Sequence, residues 1–223
     1  MGEWTTLKAA DGHEFAAWKS ARPDPLAGLV VVQEIFGVNE HIRHVVDRYA
    51  TLGFAATAPA LFDRAAKGVE LGYDDADIAK GRELRGQFSW DLSLLDLRTA
   101  AESASFAGRV GVIGYCWGGS MAWRLAASGT IAAAVCYYGA QIVDYLAEKP
   151  KCPTLLIFGD EDTSIPPEAI TTIRAAHPAV ETEIYPGPHG FACEARAAYR
   201  PEPSRAAFAR SFAFLARHLR ATP

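Results

Sequence analysis

VGVIGYCWGG, residues 110–119, is the segment that decides the fold. Its first four residues form an apolar run, which is typical of a strand buried on both faces. A tight turn follows, and residues 121–127 are predicted to lie in a helix. Strand, glycine-flanked turn and helix in this order are the pattern of a nucleophile elbow. At the tip of the turn stands Cys116, in the position that a serine often holds.

The two glycines of the turn, Gly114 and Gly118, have a physical role. A connection this tight should leave no room for side chains at these positions, because they would collide with neighbouring backbone. The residue between them should take a strained conformation that points its side chain into a cleft. The helix that follows directs the positive end of its dipole at Cys116, which stabilises negative charge on the sulfur. We therefore predict Cys116 as the nucleophile.

Outward from this segment, strand-like and helix-like stretches alternate. Further strands are predicted at residues 29–33, 54–58, 132–138, 154–158 and 181–185. Further helices are predicted between the N-cap Asn39 and Gly53, and at residues 76–87, 90–104, 168–176 and 203–218. In the helix at 90–104, the residues expected on one side are Leu92, Leu95 and Thr99. Residues 61–75 are predicted to form a long polar loop over one end of the sheet.

Repeated β-α units predict an α/β protein with a mostly parallel central sheet and helices on both faces. Residues 4–7 and 15–18, separated by Asp11 and Gly12, predict an antiparallel hairpin at the N-terminal edge of that sheet. No linker, composition break or internal repeat divides the chain. We expect one domain over residues 1–223.

Composition excludes several classes of protein. Of the 223 residues 50% are hydrophobic, which allows a sizeable core, and the net charge of -4 is scattered along the chain. We therefore expect no nucleic-acid partner and no membrane contact. The N-terminus lacks the pattern of a signal peptide, so we expect a soluble, cytoplasmic protein. The oligomeric state is open between a monomer and a small homo-oligomer.

Four cysteines occur in the chain: Cys116, Cys136, Cys152 and Cys193. In a reducing compartment, structural disulfides are rare. The chain has no CxxC or HxxxH spacing, so the sequence predicts no zinc site, and no cofactor is expected. Most of these thiols should therefore be buried and inert.

Two downstream residues are candidates to activate Cys116. Asp162 follows the predicted strand 154–158, at the edge where parallel sheets place their ligands. His189 lies in a loop between glycines, after the next strand. The order nucleophile, acid, base is the one that accompanies a nucleophile elbow. Backbone N–H groups of Trp117 and Ile35 are the predicted oxyanion donors.

Four strings carry a resemblance to a known family: residues 33–39 (QEIFGVN), 114–119 (GYCWGG), 137–139 (YYG) and 189–191 (HGF). Together they resemble the dienelactone hydrolase family, the carboxymethylenebutenolidases, and the likeness runs along nearly the whole chain. The resemblance implies an α/β-hydrolase fold and a triad of Cys116, His189 and Asp162. It also implies that the substrate is an enol lactone, opened by hydrolysis.

The resemblance gives Glu34 a role as well. In the family this glutamate contacts the resting thiol, is displaced when substrate binds, and then helps to take the thiol proton. The likeness thus implies that Cys116 is protected until substrate arrives.

The sequence departs from the family pattern at the arginines that bind the substrate carboxylate. Cys193 stands four residues after His189, where one of them is expected, and a rough alignment places Ile78 at the other. Three nearby residues could restore the charge: Arg82, Arg85 and Arg196. An apolar pocket is expected from Phe36, Trp117 and Tyr138, and the predicted substrate-binding residues are Phe36, Arg82 and Tyr138.

Other readings stay open at this point. A carboxylesterase or thioesterase acting on a different small acyl substrate would use the same residues. Glutamine amidotransferases also place a cysteine on an elbow, but their histidine and acid typically sit close together, whereas a strand separates Asp162 from His189. A binding protein on an inactive hydrolase scaffold would not need an intact set of Cys116, His189, Asp162 and Glu34.

Overall fold

The computed structural model describes residues 2–220, which contain an eight-stranded sheet in the order β1-β2-β4-β3-β5-β6-β7-β8. The strands are β1 (Glu3–Lys8), β2 (Glu14–Ser20), β3 (Ala27–Val32), β4 (Phe54–Pro59), β5 (Val110–Tyr115), β6 (Ala133–Tyr137), β7 (Thr154–Gly159) and β8 (Glu181–Tyr185). Strands β3 to β8 pair in parallel, whereas β1 and β2 form an antiparallel pair at one edge. The predicted fold class is confirmed.

Residues 2–220 also contain six α-helices, of which the first five lie between strands and the last follows β8: α1 (Glu40–Thr51), α2 (Asp75–Arg85), α3 (Trp90–Ala104), α4 (Trp117–Ser128), α5 (Pro167–Ala176) and α6 (Pro201–Leu219). Short 3-10 helices lie at Leu61–Arg64, Ser105–Ala107 and Ala140–Tyr145. The predicted N-cap of α1 is confirmed, because the Asn39 side chain accepts a hydrogen bond from the N–H of Ile42 at 3.3 Å. Within residues 2–220, no helix is both long and apolar enough to cross a membrane.

Helices lie on both faces of the sheet. Gly28 of β3 faces α3, because a Cβ there would meet the carbonyl oxygen of Ala104, and its partner in the register is Val110 of β5. The next residue, Gly111, therefore faces the other way. A Cβ at Gly111 would meet the Leu219 side chain of α6. Every residue of β3, β5, β6 and β7 is buried, which explains their continuous apolar sequences.

The predicted apolar side of α3 is wrong. Leu92, Leu95 and Thr99 are only half-buried, and the buried residues are Ser93, Leu94, Asp96, Leu97, Ala100, Ala101 and Ala104. The pattern misled because the inner face carries an acid, Asp96, whose side chain is fully buried against the Arg64 guanidinium at 2.7 Å. The predicted loop at 61–75 likewise begins with a 3-10 helix, in which Leu61 and Phe62 belong to the core.

Candidate active site

The turn at Cys116 consists of a single residue between two regular elements. Strand β5 ends at Tyr115 and helix α4 begins at Trp117. Cys116 has φ 55° and ψ −119°, in the left-handed region that is costly for any residue but glycine. Its N–H donates to the carbonyl oxygen of Tyr137 on β6 at 3.0 Å, which fixes this conformation. The strained elbow predicted from the sequence is confirmed.

Close backbone packing explains the glycines of the turn. A Cβ at Gly114 would collide with the carbonyl oxygen of Gly118. A Cβ at Gly118 would in turn collide with the carbonyl oxygens of Val32 and Gln33 at the end of β3. The elbow therefore packs directly against the segment that leads to Ile35, one of the two predicted oxyanion donors.

Asp162 and His189, which are 27 residues apart, meet at the carboxyl end of the sheet. The Nδ1 atom of His189 lies 2.7 Å from Oδ2 of Asp162, whose side chain is fully buried. The other oxygen, Oδ1, accepts the N–H of Ser164 at 2.8 Å. Asp160 is exposed and bonds the N–H of Gly187 instead. The carboxylate that contacts the imidazole is thus Asp162.

Opposing effects act on the charge of His189. Burial alone would lower the pKa of its imidazole. Negative charge on the Cys116 sulfur and the hydrogen bond to Asp162 outweigh burial and raise the pKa from 6.5 to about 10. A charged Cys116 sulfur and a protonated His189 therefore stabilise each other.

NMR titration can check this coupling. Because the pKa of His189 is raised to about 10 in the folded protein, its stabilising contribution is complete below pH 6.5 and is lost as the pH rises through about 10. We expect the His189 ring signal, assigned with a His189→Gln variant, to titrate near pH 10 in the wild type. In Cys116→Ala the titration should move to lower pH, because the sulfur charge is gone. A wild-type midpoint near 6.5 would contradict the coupling.

The two backbone groups predicted to bind an oxyanion belong to the residue after Cys116 and to a residue that lines its cavity. Trp117 is the first residue of α4, so its N–H has no acceptor within the helix. Ile35 lies in the turn after β3 and lines the same cavity as Cys116. Close contacts hold this turn: Gly37 at φ 79° fits against the carbonyl of Val69, and Gly81 of α2 fits against the carbonyl of Ile35.

The Glu34 side chain is hydrogen-bonded to Arg196 and not to the Cys116 thiol. Its carboxylate is buried, and Oε1 accepts a hydrogen bond from Nη1 of Arg196 at 3.2 Å. Oε2 is buried and has no hydrogen-bond partner among residues 2–220, and Cys116 makes no hydrogen bond with Glu34. The contact with the resting thiol that the resemblance implies is therefore not made through a hydrogen bond in this structure.

A cavity of about 280 Å³ brings five of the predicted residues together: Ile35, Phe36, Arg82, Cys116 and His189. Its wall also includes Arg85 and Arg196, which the sequence offered only as alternatives to Arg82. Gln141 and Ser164 line the cavity too and were missed. Both follow the ends of strands, β6 and β7, but no motif separates them from other polar residues in such positions.

Tyr138 does not line this cavity, contrary to the prediction. It has φ 35° and is fully buried, with its ring centroid 5.0 Å from that of His189. This backbone turn at the end of β6 directs the ring behind the histidine. The Trp117 side chain is also fully buried, stacked on Phe62 at 5.6 Å, so it does not form part of the pocket wall either.

The chain that forms this cavity is similar to known proteins. The sequence profile of the dienelactone hydrolase family matches residues 15–219. The chain belongs to the dienelactone hydrolase family. Among its relatives, a "Carboxymethylenebutenolidase" of Pseudomonas putida is 32% identical over 97% of each chain. A "Putative carboxymethylenebutenolidase" of Synechocystis sp. is 39% identical over 78% of this chain and 79% of that protein.

A solved structure extends the likeness to three dimensions. The "Putative Dienelactone Hydrolase" from Klebsiella pneumoniae superimposes with a TM-score of 0.85 at 29% identity, covering 97% of this chain and 99% of that one. This member of the dienelactone hydrolase family is a hydrolase that acts on ester or lactone bonds.

Proposed function

We propose that this dienelactone hydrolase relative opens a small enol lactone of the dienelactone type, with Cys116 as the nucleophile, His189 as the base and Asp162 as the orienting acid. One observation carries the proposal: Cys116 shares a cavity with His189, whose Nδ1 atom lies 2.7 Å from the buried carboxylate of Asp162. The choice of a lactone rests on the carboxymethylenebutenolidase relatives.

In the first half of the reaction, the Cys116 sulfur attacks the carbonyl carbon of the lactone. The N–H groups of Trp117 and Ile35 donate hydrogen bonds to the oxyanion that forms. The ring C–O bond then breaks, and protonated His189 gives its proton to the departing oxygen. The lactone is now open and is bound to Cys116 as a thioester.

In the second half, His189 takes a proton from water, and the water oxygen attacks the thioester. Collapse of this intermediate releases the acid and regenerates Cys116. Because Nδ1 of His189 is held by Asp162, Nε2 is the nitrogen available for both proton transfers. Asp162 fixes that tautomer and stabilises the positively charged ring.

Where Cys116 is still a thiol when substrate binds, and not yet paired as a charged sulfur with protonated His189, we assign Glu34 a part in removing its proton. Its Oε2 is buried without a partner among residues 2–220, and Oε1 is held by Arg196 alone. Burying an acceptor without a hydrogen bond is costly, so a small movement of Glu34 that gains one is favoured. A thiol proton at Cys116 would supply that hydrogen bond and could then be transferred to the carboxylate.

Glu34→Gln tests this role. The amide cannot accept a proton, so we expect kcat to fall by about 10² while the fold is kept. The same substitution at the exposed Glu102 is the matched control, and circular dichroism checks the fold of both variants. If kcat of Glu34→Gln equals that of the control, Glu34 has no part in proton transfer.

A second candidate function is a carboxylesterase or thioesterase on another small acyl substrate. It is favoured by Ile78, which lines the cavity where the family resemblance implies an arginine, and by Cys193, which is fully buried and does not line it. A lost arginine changes the choice of substrate more than the type of reaction.

The experiment that tests the proposed function compares dienelactone with p-nitrophenyl acetate on the wild type and on Cys116→Ala. We expect the wild type to hydrolyse the lactone with the higher kcat/KM, and the variant to hydrolyse neither. An enzyme that cleaved the acetate and ignored the lactone would support the esterase candidate. Undiminished cleavage by Cys116→Ala would exclude both candidates, because both need the thiol.

A further inference from the structure

Among residues 2–220, three with guanidinium groups and none with a carboxylate line the cavity beside Cys116. Arg196 is paired with Glu34 at 3.2 Å. The side chains of Arg82 and Arg85 make no salt bridge with, and donate no hydrogen bond to, any of residues 2–220, although their backbone groups belong to helix α2. Two positive charges therefore face the cavity without compensation from the described part of the chain.

Helix α2 holds Arg82 and Arg85 in a fixed relation to the reaction centre. The two residues are three apart, so they lie one turn apart on the same face of the helix. Gly81, directly before Arg82, packs against the carbonyl of Ile35 so closely that a Cβ would not fit. The guanidinium of Arg85 lies over the Trp90 ring, 5.9 Å from its centroid, which leaves its edge donors free.

The helix dipole alone does not account for this arrangement. Both arginines are in the last turn of α2, where positive charge is favourable. However, the acid between them, Glu83, binds Lys80 at 3.0 Å and Gln87 at 3.0 Å instead. An arginine that served only the helix terminus could equally pair with Glu83, whereas these two line the cavity.

We propose that Arg82 and Arg85 bind an end of the substrate that carries two negative charges, remote from the bond that is cleaved. One guanidinium matches one carboxylate through two parallel hydrogen bonds, and two unpaired guanidiniums match two charges. The substrate class is thus a lactone or ester with a dianionic end, either a dicarboxylate or a phosphate monoester. This inference rests on the proposed function, because it places that end in the cavity of Cys116.

Protection of Cys116 from alkylation tests the proposal. Iodoacetamide is neutral and labels the free thiol, and a compound that fills the cavity slows the labelling. The probes are adipate and phenyl phosphate as dianions, butyrate as a monoanion and butyramide as a neutral compound. We expect either dianion to protect at concentrations at least tenfold below that of butyrate. The better of the two identifies the dicarboxylate or the phosphate.

The double variant Arg82→Gln, Arg85→Gln should reduce dianion protection to the level of butyrate, with protection measured relative to the labelling rate of the same variant without a probe. Arg98→Gln, an exposed arginine of α3 that does not line the cavity, is the matched control and should keep the preference. Equal protection by adipate, phenyl phosphate and butyramide would overturn the proposal, as would a preference that survives the double variant.

Calorimetric titration of the same probes into Cys116→Ala measures binding without the thiol, so it separates the two proposals. Tight dianion binding with no labelling of wild-type Cys116 would overturn the nucleophile and keep the arginine site. Normal labelling of Cys116 without a preference for dianions would overturn the arginine site and keep Cys116 as the nucleophile.

Discussion

Cys116→Ala should lower kcat/KM for lactone or ester hydrolysis by a factor on the order of 10⁴ or more, because the bond-forming atom is removed. Residual turnover would come from the oxyanion donors and from water that enters the cavity. The fold should be kept, since alanine also fits the tip of the elbow. The backbone hydrogen bond from the N–H of residue 116 to the carbonyl oxygen of Tyr137 does not depend on the side chain. Steady-state kinetics on both proteins measures the ratio.

Two further cysteine variants make the result specific. Cys152→Ala removes another half-buried free thiol, which is outside the cavity, and should leave kcat/KM unchanged. Cys116→Ser keeps the shape but offers a hydroxyl that gives up its proton less readily than a thiol, so it should also be strongly impaired. Full activity in Cys116→Ala, or equal losses in Cys116→Ala and Cys152→Ala, would rule out Cys116 as the nucleophile.

His189→Gln has the second largest expected effect. The imidazole is needed in both halves of the reaction, and its loss also removes the positive charge that stabilises the Cys116 sulfur. We expect kcat/KM to fall by about 10³ or more. The rate of Cys116 alkylation near neutral pH should fall as well, because the cation that stabilises the attacking sulfur is lost.

The control for this variant is His44→Gln, on the exposed side of α1. Asp162→Asn should give a smaller loss than His189→Gln, since the ring stays in place but its tautomer is no longer held. If His189→Gln alkylates Cys116 as fast as the wild type does, the histidine does not activate the thiol.

Local sequence was sufficient for the parts of the fold and site that depend on short-range geometry. The elbow is one such part, because strand β5, its glycines and helix α4 are consecutive in the chain. The placement of Asp162 and His189 at one edge follows from the parallel sheet, which brings the carboxyl ends of all its strands together. These inferences needed no knowledge of individual contacts.

The remaining parts depend on pairs of residues that are distant in the chain. Glu34 and Arg196 are 162 residues apart, and no pattern in either segment predicts that they meet. The buried face of α3 includes Asp96, whose partner Arg64 is 32 residues away. Tyr138 was misplaced because its positive φ turns the ring, and sequence alone does not reveal such a conformation in a tyrosine.

Trapping the covalent intermediate tests the central claim most directly. Wild-type protein mixed with p-nitrophenyl acetate, quenched in acid before turnover is complete and digested should give one acetyl group on the peptide that contains Cys116. Mass spectrometry locates the acetyl group, and Cys116→Ala treated in the same way should carry none. An acetyl group on another residue that forms and decays at the rate of turnover would contradict the proposal that Cys116 is the nucleophile.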